Sequence, residues 1–156
     1  MPEARHNTCQ VIVGRLMEIA VDAGYHAVSD IDDMIGQMEG HFARVPEPTR
    51  FVIAADWRAC KLFTPAVAAR AVHMLLRSHA RVERRAILHA ANQPTSVLQV
   101  LRIVGESQLT NSRVFTDPAE LQRWLGEVVD SAEHERVQAF YQRSLPGGIT
   151  SVRARP

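Results

Sequence analysis

The stretch Phe51-Val52-Ile53-Ala54-Ala55 limits the folds open to this chain more than any other five residues. It is apolar without interruption, Pro46 and Pro48 precede it, and the polar Asp56-Trp57-Arg58 follows. A strand in contact with water on one face alternates apolar and polar side chains. One with no polar position has to be covered on both faces, which is the situation of a central strand in a mostly parallel sheet with helices above and below.

The rest of the chain can be read outward from that strand. Residues 9 to 22 hold two apolar runs, Val11-Ile12-Val13 and Leu16 to Val21, broken by Gly14-Arg15, which predicts a β-hairpin or one kinked strand. Ser29 or Asp30 can then cap a helix whose Ile31, Met34, Ile35, Met38 and Phe42 recur at steps of three and four. Thr64-Pro65 offers a cap followed by proline at the first helical position, with Val67, Ala68, Ala71, Leu75 and Ser78 on one side and an end near His79. Val82 to Ala91 contains a second buried strand around Ala86-Ile87-Leu88. The turn Asn92 to Thr95 leads to a helix with Val97, Leu98, Leu101, Val104 and Gly105 on the expected core side and Gln99, Arg102 and Glu106 facing solvent. Arg113-Val114-Phe115 is a short strand. Asp117-Pro118-Ala119-Glu120 then has the form of a capping box opening a helix with Leu121, Trp124, Leu125 and Val128 inward. Ser131 can cap a last helix carrying Val137, Phe140 and Tyr141, which would cover either its own sheet or a second subunit of a homodimer. The segment from Pro146 onward shows no periodicity and is expected to be a flexible tail, 146–156, after one domain spanning 1–145.

This alternation predicts an α/β fold, a mostly parallel β-sheet of about four to five strands covered by helices. The 18 basic and 17 acidic residues nearly cancel, so a polyanion meets little long-range attraction, and nucleic acid is not an expected partner. The cluster Arg77, His79, Arg81, Arg84 and Arg85 reads as a solvated helix end running into a strand. No apolar run approaches the roughly 20 residues of a membrane span, so no membrane insertion is expected. The two cysteines, Cys9 and Cys60, lack a CxxC spacing and are expected to be reduced, as in a cytoplasmic protein.

Signals for chemistry are sparse. The loop after the central strand, Asp56 to Thr64, contains no glycine with which to cradle a phosphate, and none of the serines sits in a Gly-x-Ser-x-Gly elbow. The seven histidines form neither HxH nor HxxxH pairs, so no metal site is expected, and no cofactor. Asp32-Asp33 are neighbours on a helix, about 100° apart, and suit the helix start better than a shared acid/base role. An enzyme would have to draw on Asp56, Arg58 and a distant histidine, and no catalytic residue is assigned. The polar cluster in a favourable place is Asp56-Trp57-Arg58, at the C-terminal end of the apolar strand, where open α/β sheets receive their ligands and partners. Tryptophan and arginine are also favoured anchors of protein interfaces. With Lys61, Phe63 and Thr64 they form the expected partner-binding surface. Thr64 doubles as a helix cap and a candidate phosphorylation site.

The order of elements, the turn after Ala54-Ala55-Asp56 and the closing Phe115-Thr116-Asp117-Pro118-Ala119-Glu120-Leu121-Gln122-Arg123-Trp124-Leu125 resemble the STAS and SpoIIAA-like group, the anti-sigma-factor antagonists and their relatives. The resemblance spans roughly residues 9 to 130 and lies in topology more than in motif. It implies a non-enzymatic bacterial signalling module that offers the loop and helix after the central strand to another protein, a regulator or kinase-like partner. The family's switch is a serine or threonine in an Asp-Ser-Ser-Gly-like stretch at that helix start. Here the matching place reads Thr64-Pro65-Ala66-Val67, with Thr64 as its hydroxyl and no glycine. The single lysine, Lys61, among many arginines fits a GC-rich genome. The alternative reading is a small-molecule or lipid-sensing domain of the same fold, which requires an apolar cavity between helix and sheet.

Overall fold

A computed structural model describes residues 4–143; the expected tail, 146–156, lies outside the described residues. The elements run β1 (Asn7–Val11), β2 (Leu16–Val21), α1 (Val28–Arg44), β3 (Phe51–Asp56), α2 (Pro65–Ser78), β4 (Val82–Leu88), α3 (Pro94–Ser107), β5 (Ser112–Phe115), α4 (Pro118–Gly126) and α5 (Ser131–Gln142). The five strands lie in the order β1-β2-β3-β4-β5. β1 pairs antiparallel with β2, and every later pair is parallel. The chain is thus α/β with a mostly parallel sheet, and the uninterrupted apolar run is its middle strand.

Because the strand order advances in one direction, crossovers of one hand deliver their helices to one face of the sheet. α1, α2 and α3 accordingly share a core with Met17, Ile19, Phe51, Ile53 and Ile87. The opposite face, with Leu16, Ala20, Val52, Ala54, Ala86 and Leu88, would be bare without α4 and α5, which cover it through Leu121, Leu125, Val137, Phe140 and Tyr141. The last helix therefore covers its own sheet. β3 gives Phe51, Ile53 and Ala55 to one core and Val52 and Ala54 to the other, which is why it tolerates no polar side chain before Asp56.

Several local expectations are corrected. α1 has Ala27 at its N-cap rather than Ser29 or Asp30. Asp30 sits one turn in, and its carboxylate accepts from the N–H groups of His26 at 2.8 Å and Ala27 at 2.9 Å. α5 is capped by Asp130, not Ser131, in a reciprocal box with Glu133. Asp117 caps α4 by accepting from Ala119 N–H at 3.0 Å, without the expected return bond from Glu120. The basic cluster is not one solvated patch. Arg81 donates to the carbonyls of Phe42, Val45 and Thr49, Arg84 to that of Trp124, and Arg85 is buried.

α3 departs furthest from expectation. Its buried side chains are Ser96, Val100, Ile103 and Ser107, while Leu98 is 66% and Leu101 47% exposed. The helix is turned so that two leucines expected in the core face water.

The hairpin turn ties the two ends of the described chain together. Gly14 has a φ of +56°, and Glu133 of α5 accepts from Arg15 N–H at 2.9 Å beside it. A Cβ at position 14 would fall 2.6 Å from that carboxylate. Gly14→Ala is therefore expected to cost about 1–2 kcal/mol for the left-handed backbone alone, and more as Glu133 is displaced. Urea unfolding measures this, and an unchanged midpoint would show that the turn can relax freely.

Candidate functional site

The loop that leaves β3 is fastened from three directions. Trp57 N–H continues the ladder by donating to Leu88 O at 2.8 Å, and Cys60 N–H closes a turn on Trp57 O at 2.9 Å. On the α1–α2 side, the Trp57 indole packs edge-on against Tyr25 and Phe63, with ring centroids 5.7 and 5.8 Å away. On the side facing α3, the Gln99 side-chain amide grips the backbone of Phe63, accepting from its N–H at 2.8 Å and donating to its carbonyl at 2.9 Å.

Asp56 anchors the same loop to α5. Its carboxylate accepts from Arg58 N–H at 3.0 Å and from the Arg58 guanidinium at 3.0 and 2.7 Å. Arg143 adds a contact at 2.5 Å and reaches on to Asp22 at 2.7 Å. Arg58 also donates to Tyr141 O, and the Tyr141 hydroxyl donates to Ala55 O. Burial alone would push the Asp56 carboxyl up, but the Arg58 hydrogen bonds and the charges of Arg58 and Arg143 outweigh it and hold the group below its ordinary range. With every lone-pair direction engaged by arginine, Asp56 is a poor proton acceptor.

These positions divide the six residues expected to meet a partner. Asp56, Trp57, Arg58 and Phe63 are between 1% and 7% exposed, so they cannot be contact residues in this conformation. They are the inner half of the loop, and their place in the expected surface is corrected to that of its support. Lys61 and Thr64 are exposed. Thr64 caps α2, accepting from Val67 N–H at 3.3 Å. The sequence reading missed Leu62, which is 59% exposed between the buried Cys60 and Phe63. It also missed Leu98 and Leu101. The Gln99 clamp joins the two segments that carry these leucines, since Leu62 precedes Phe63 and Leu98 precedes Gln99. The outer half of the site thus consists of exposed Lys61, Leu62 and Thr64 on the loop and exposed Leu98 and Leu101 on α3.

Among the described residues, no three His, Cys, Asp or Glu side chains are grouped as a metal ion would need, and no helix is long and apolar enough to cross a membrane. Cys9 and Cys60 are both free and buried. Burial pushes the Cys9 thiol up to about 12 and the Cys60 thiol well above its usual value, which leaves neither as a nucleophilic thiolate near neutral pH.

His89, immediately after β4, is 1% exposed, and burial holds its pKa below the ordinary 6.5. The unfolded chain takes up a proton that the folded one resists, so stability is expected to decline as pH falls below 6.5. Asp56, whose folded pKa is lowered, loses its stabilising effect only below the carboxylate range. Asp22, raised mainly by burial, acts with the opposite sign and above its ordinary carboxyl value. Comparing unfolding midpoints at pH 7.5 and 5.5 isolates His89: the decline should be smaller in His89→Gln, and an equal decline in both proteins would assign it elsewhere. Comparison of the chain with protein-family models, curated proteins and solved structures returned no match.

Proposed function

We propose that the chain is a non-enzymatic regulatory module, of the STAS-like kind its sequence resembles, that binds another protein through Leu62, Leu98 and Leu101. Lys61 and Thr64 frame that contact. The observation that carries this reading is the outward turn of α3. A helix that buries Ser96 and Ser107 while holding two leucines in water forgoes favourable burial in the free chain, and a partner can recover it. The rigid inner half of the loop supports it too, because an anchored strip loses little conformational freedom on binding. Thr64 is an exposed hydroxyl at this edge and the position on which a kinase-like partner would act; a phosphate there would sit at the start of α2, where the helix dipole favours it. Phosphopeptide analysis of the chain isolated from its host reads that position directly.

The test of the surface is capture from host lysate with the wild-type chain and with Leu62→Glu/Leu98→Glu. Both substitutions lie at exposed positions, so melting is expected to stay close to wild type. Recovery of any protein held specifically by the wild type is expected to fall at least tenfold. Undiminished capture by the double variant, or no specific capture by the wild type, would remove this reading.

A further inference from the structure

The cavity on the α1–α2 side of the sheet has an unusual lining. Arg85 lies on β4 between Arg84 and Ala86, which face α4 and the core beneath it, so its own side chain shares the inner face with Ile87. It is 3% exposed. Its guanidinium donates to Ser78 Oγ at 2.5 Å and has no other hydrogen-bond partner and no carboxylate among the described residues. Burial lowers its pKa to about 10, which leaves it charged at neutral pH. A guanidinium has five N–H donors, and a buried charge without a counter-ion is costly.

Two further polar groups line the same cavity. The Tyr25 hydroxyl and the Trp57 indole N–H are 3% and 1% exposed by residue, and neither has a partner among the described residues. Such groups are nearly always paired in folded proteins, and here two of them accompany an unpaired cation. The remaining walls are apolar, including Ile19, Ile53 and Ile87. The cavity holds about 10 Å3, close to the space of a single water-sized guest. Met38 and Met74 form part of its wall and also line a second hollow of about 70 Å3 between α1 and α2, with Ile35, Phe42, Ser78 and the paired Glu39 and Arg77. Methionines are the side chains best suited to shift and join two such spaces, being unbranched and flexible.

We propose that this region is a binding site for a monocarboxylate with a short apolar tail, its carboxylate received by Arg85, Tyr25 and Trp57 and its tail lying past Met38 and Met74 between α1 and α2. One guanidinium balances one negative charge, so a monoanion fits where a phosphate dianion would keep an uncompensated charge. The donor groups match the lone pairs of a carboxylate, and Ile35, Met38, Phe42 and Met74 offer a tail dispersion and desolvation, with the Glu39–Arg77 pair bordering the same hollow. The site is separate from the leucine strip and does not depend on the protein-binding reading.

The experiment is titration of the whole chain carrying Trp124→Phe, followed through Trp57 fluorescence and confirmed by calorimetry. Octanoate is the probe, with acetate to test the charge alone and octanol to test the tail alone. Octanoate is expected to saturate at one per chain and to bind at least tenfold tighter than either control. Arg85→Met, which keeps the length and removes the charge, is expected to lower octanoate affinity at least tenfold. Tyr25→Phe removes only the hydroxyl and is expected to weaken binding severalfold with little change in melting; it decides the matter if Arg85→Met fails to fold. No saturable octanoate binding, equal affinity for octanol or acetate, or octanoate affinity unchanged in the folded variants would overturn the proposal.

Discussion

Trp57→Ala is expected to lower stability by about 3–5 kcal/mol, the range for removing a fully buried large aromatic side chain. For a chain of this size that corresponds to a fall in melting temperature of about 10 °C. The indole is 1% exposed and fills the space between Tyr25 and Phe63, so its loss leaves a cavity at the junction of the β3 loop, α1 and α2. Trp57→Phe should recover a large part of the loss. A change below about 1 kcal/mol for Trp57→Ala, typical of a surface position, would mean that the indole is not in the core.

The second large effect is at Asp56. Asp56→Asn preserves shape but takes the negative charge from between Arg58 and Arg143, and breaking a buried ion pair from one side costs about 3–5 kcal/mol. The larger part of that loss comes from Arg58, which is 6% exposed and would keep an uncharged amide oxygen and Tyr141 O as acceptors but no counter-charge from residue 56. A double variant, Asp56→Asn with Arg58→Met, is therefore expected to be more stable than Asp56→Asn alone. Urea unfolding of the two singles and the double gives the coupling; simple additivity of the two costs would contradict the pairing. Acid should reproduce part of the effect, since the stabilisation from a lowered carboxyl pKa is lost as pH falls through that pKa.

The sequence made the frame of the fold legible where one physical signal had one solution. The unbroken apolar run of β3, the Thr64-Pro65 and Asp117-Pro118 helix starts and the Gly14 turn all lie where their chemistry places them. α3 was not legible, because its sequence carries two overlapping stripes. Val97, Leu98, Leu101 and Val104 look like a core face, yet Ser96, Val100, Ile103 and Ser107 are the residues buried. Serine can be buried in a helix when its hydroxyl bonds back to the previous turn, as Ser107 does to Val104 O at 2.6 Å, and periodicity in hydropathy does not record this.

The candidate site shows the same division. Its position at the end of β3 followed from the sequence, but the depth of its side chains did not. Asp56 and Arg58 read as surface polar residues because two of the groups that make their burial tolerable, Tyr141 and Arg143, lie more than eighty residues away in the chain. The signal for Arg85 was available. Alternation along Val82–Leu88 puts Arg85 on the same face as Ile87, and a charge at an inward strand position marks a group worth explaining. Reading it as one of five clustered cations concealed that.

The loop after β3 has a fixed, buried inner half and an exposed outer half. Acrylamide quenching of Trp57 in the Trp124→Phe chain tests this division most directly, with the full unfolding curve as a reference. The account predicts a blue-shifted emission that acrylamide hardly reaches until the chain unfolds. A water-like emission quenched in the native state as readily as in urea would place Trp57 at the surface and contradict the division of the site.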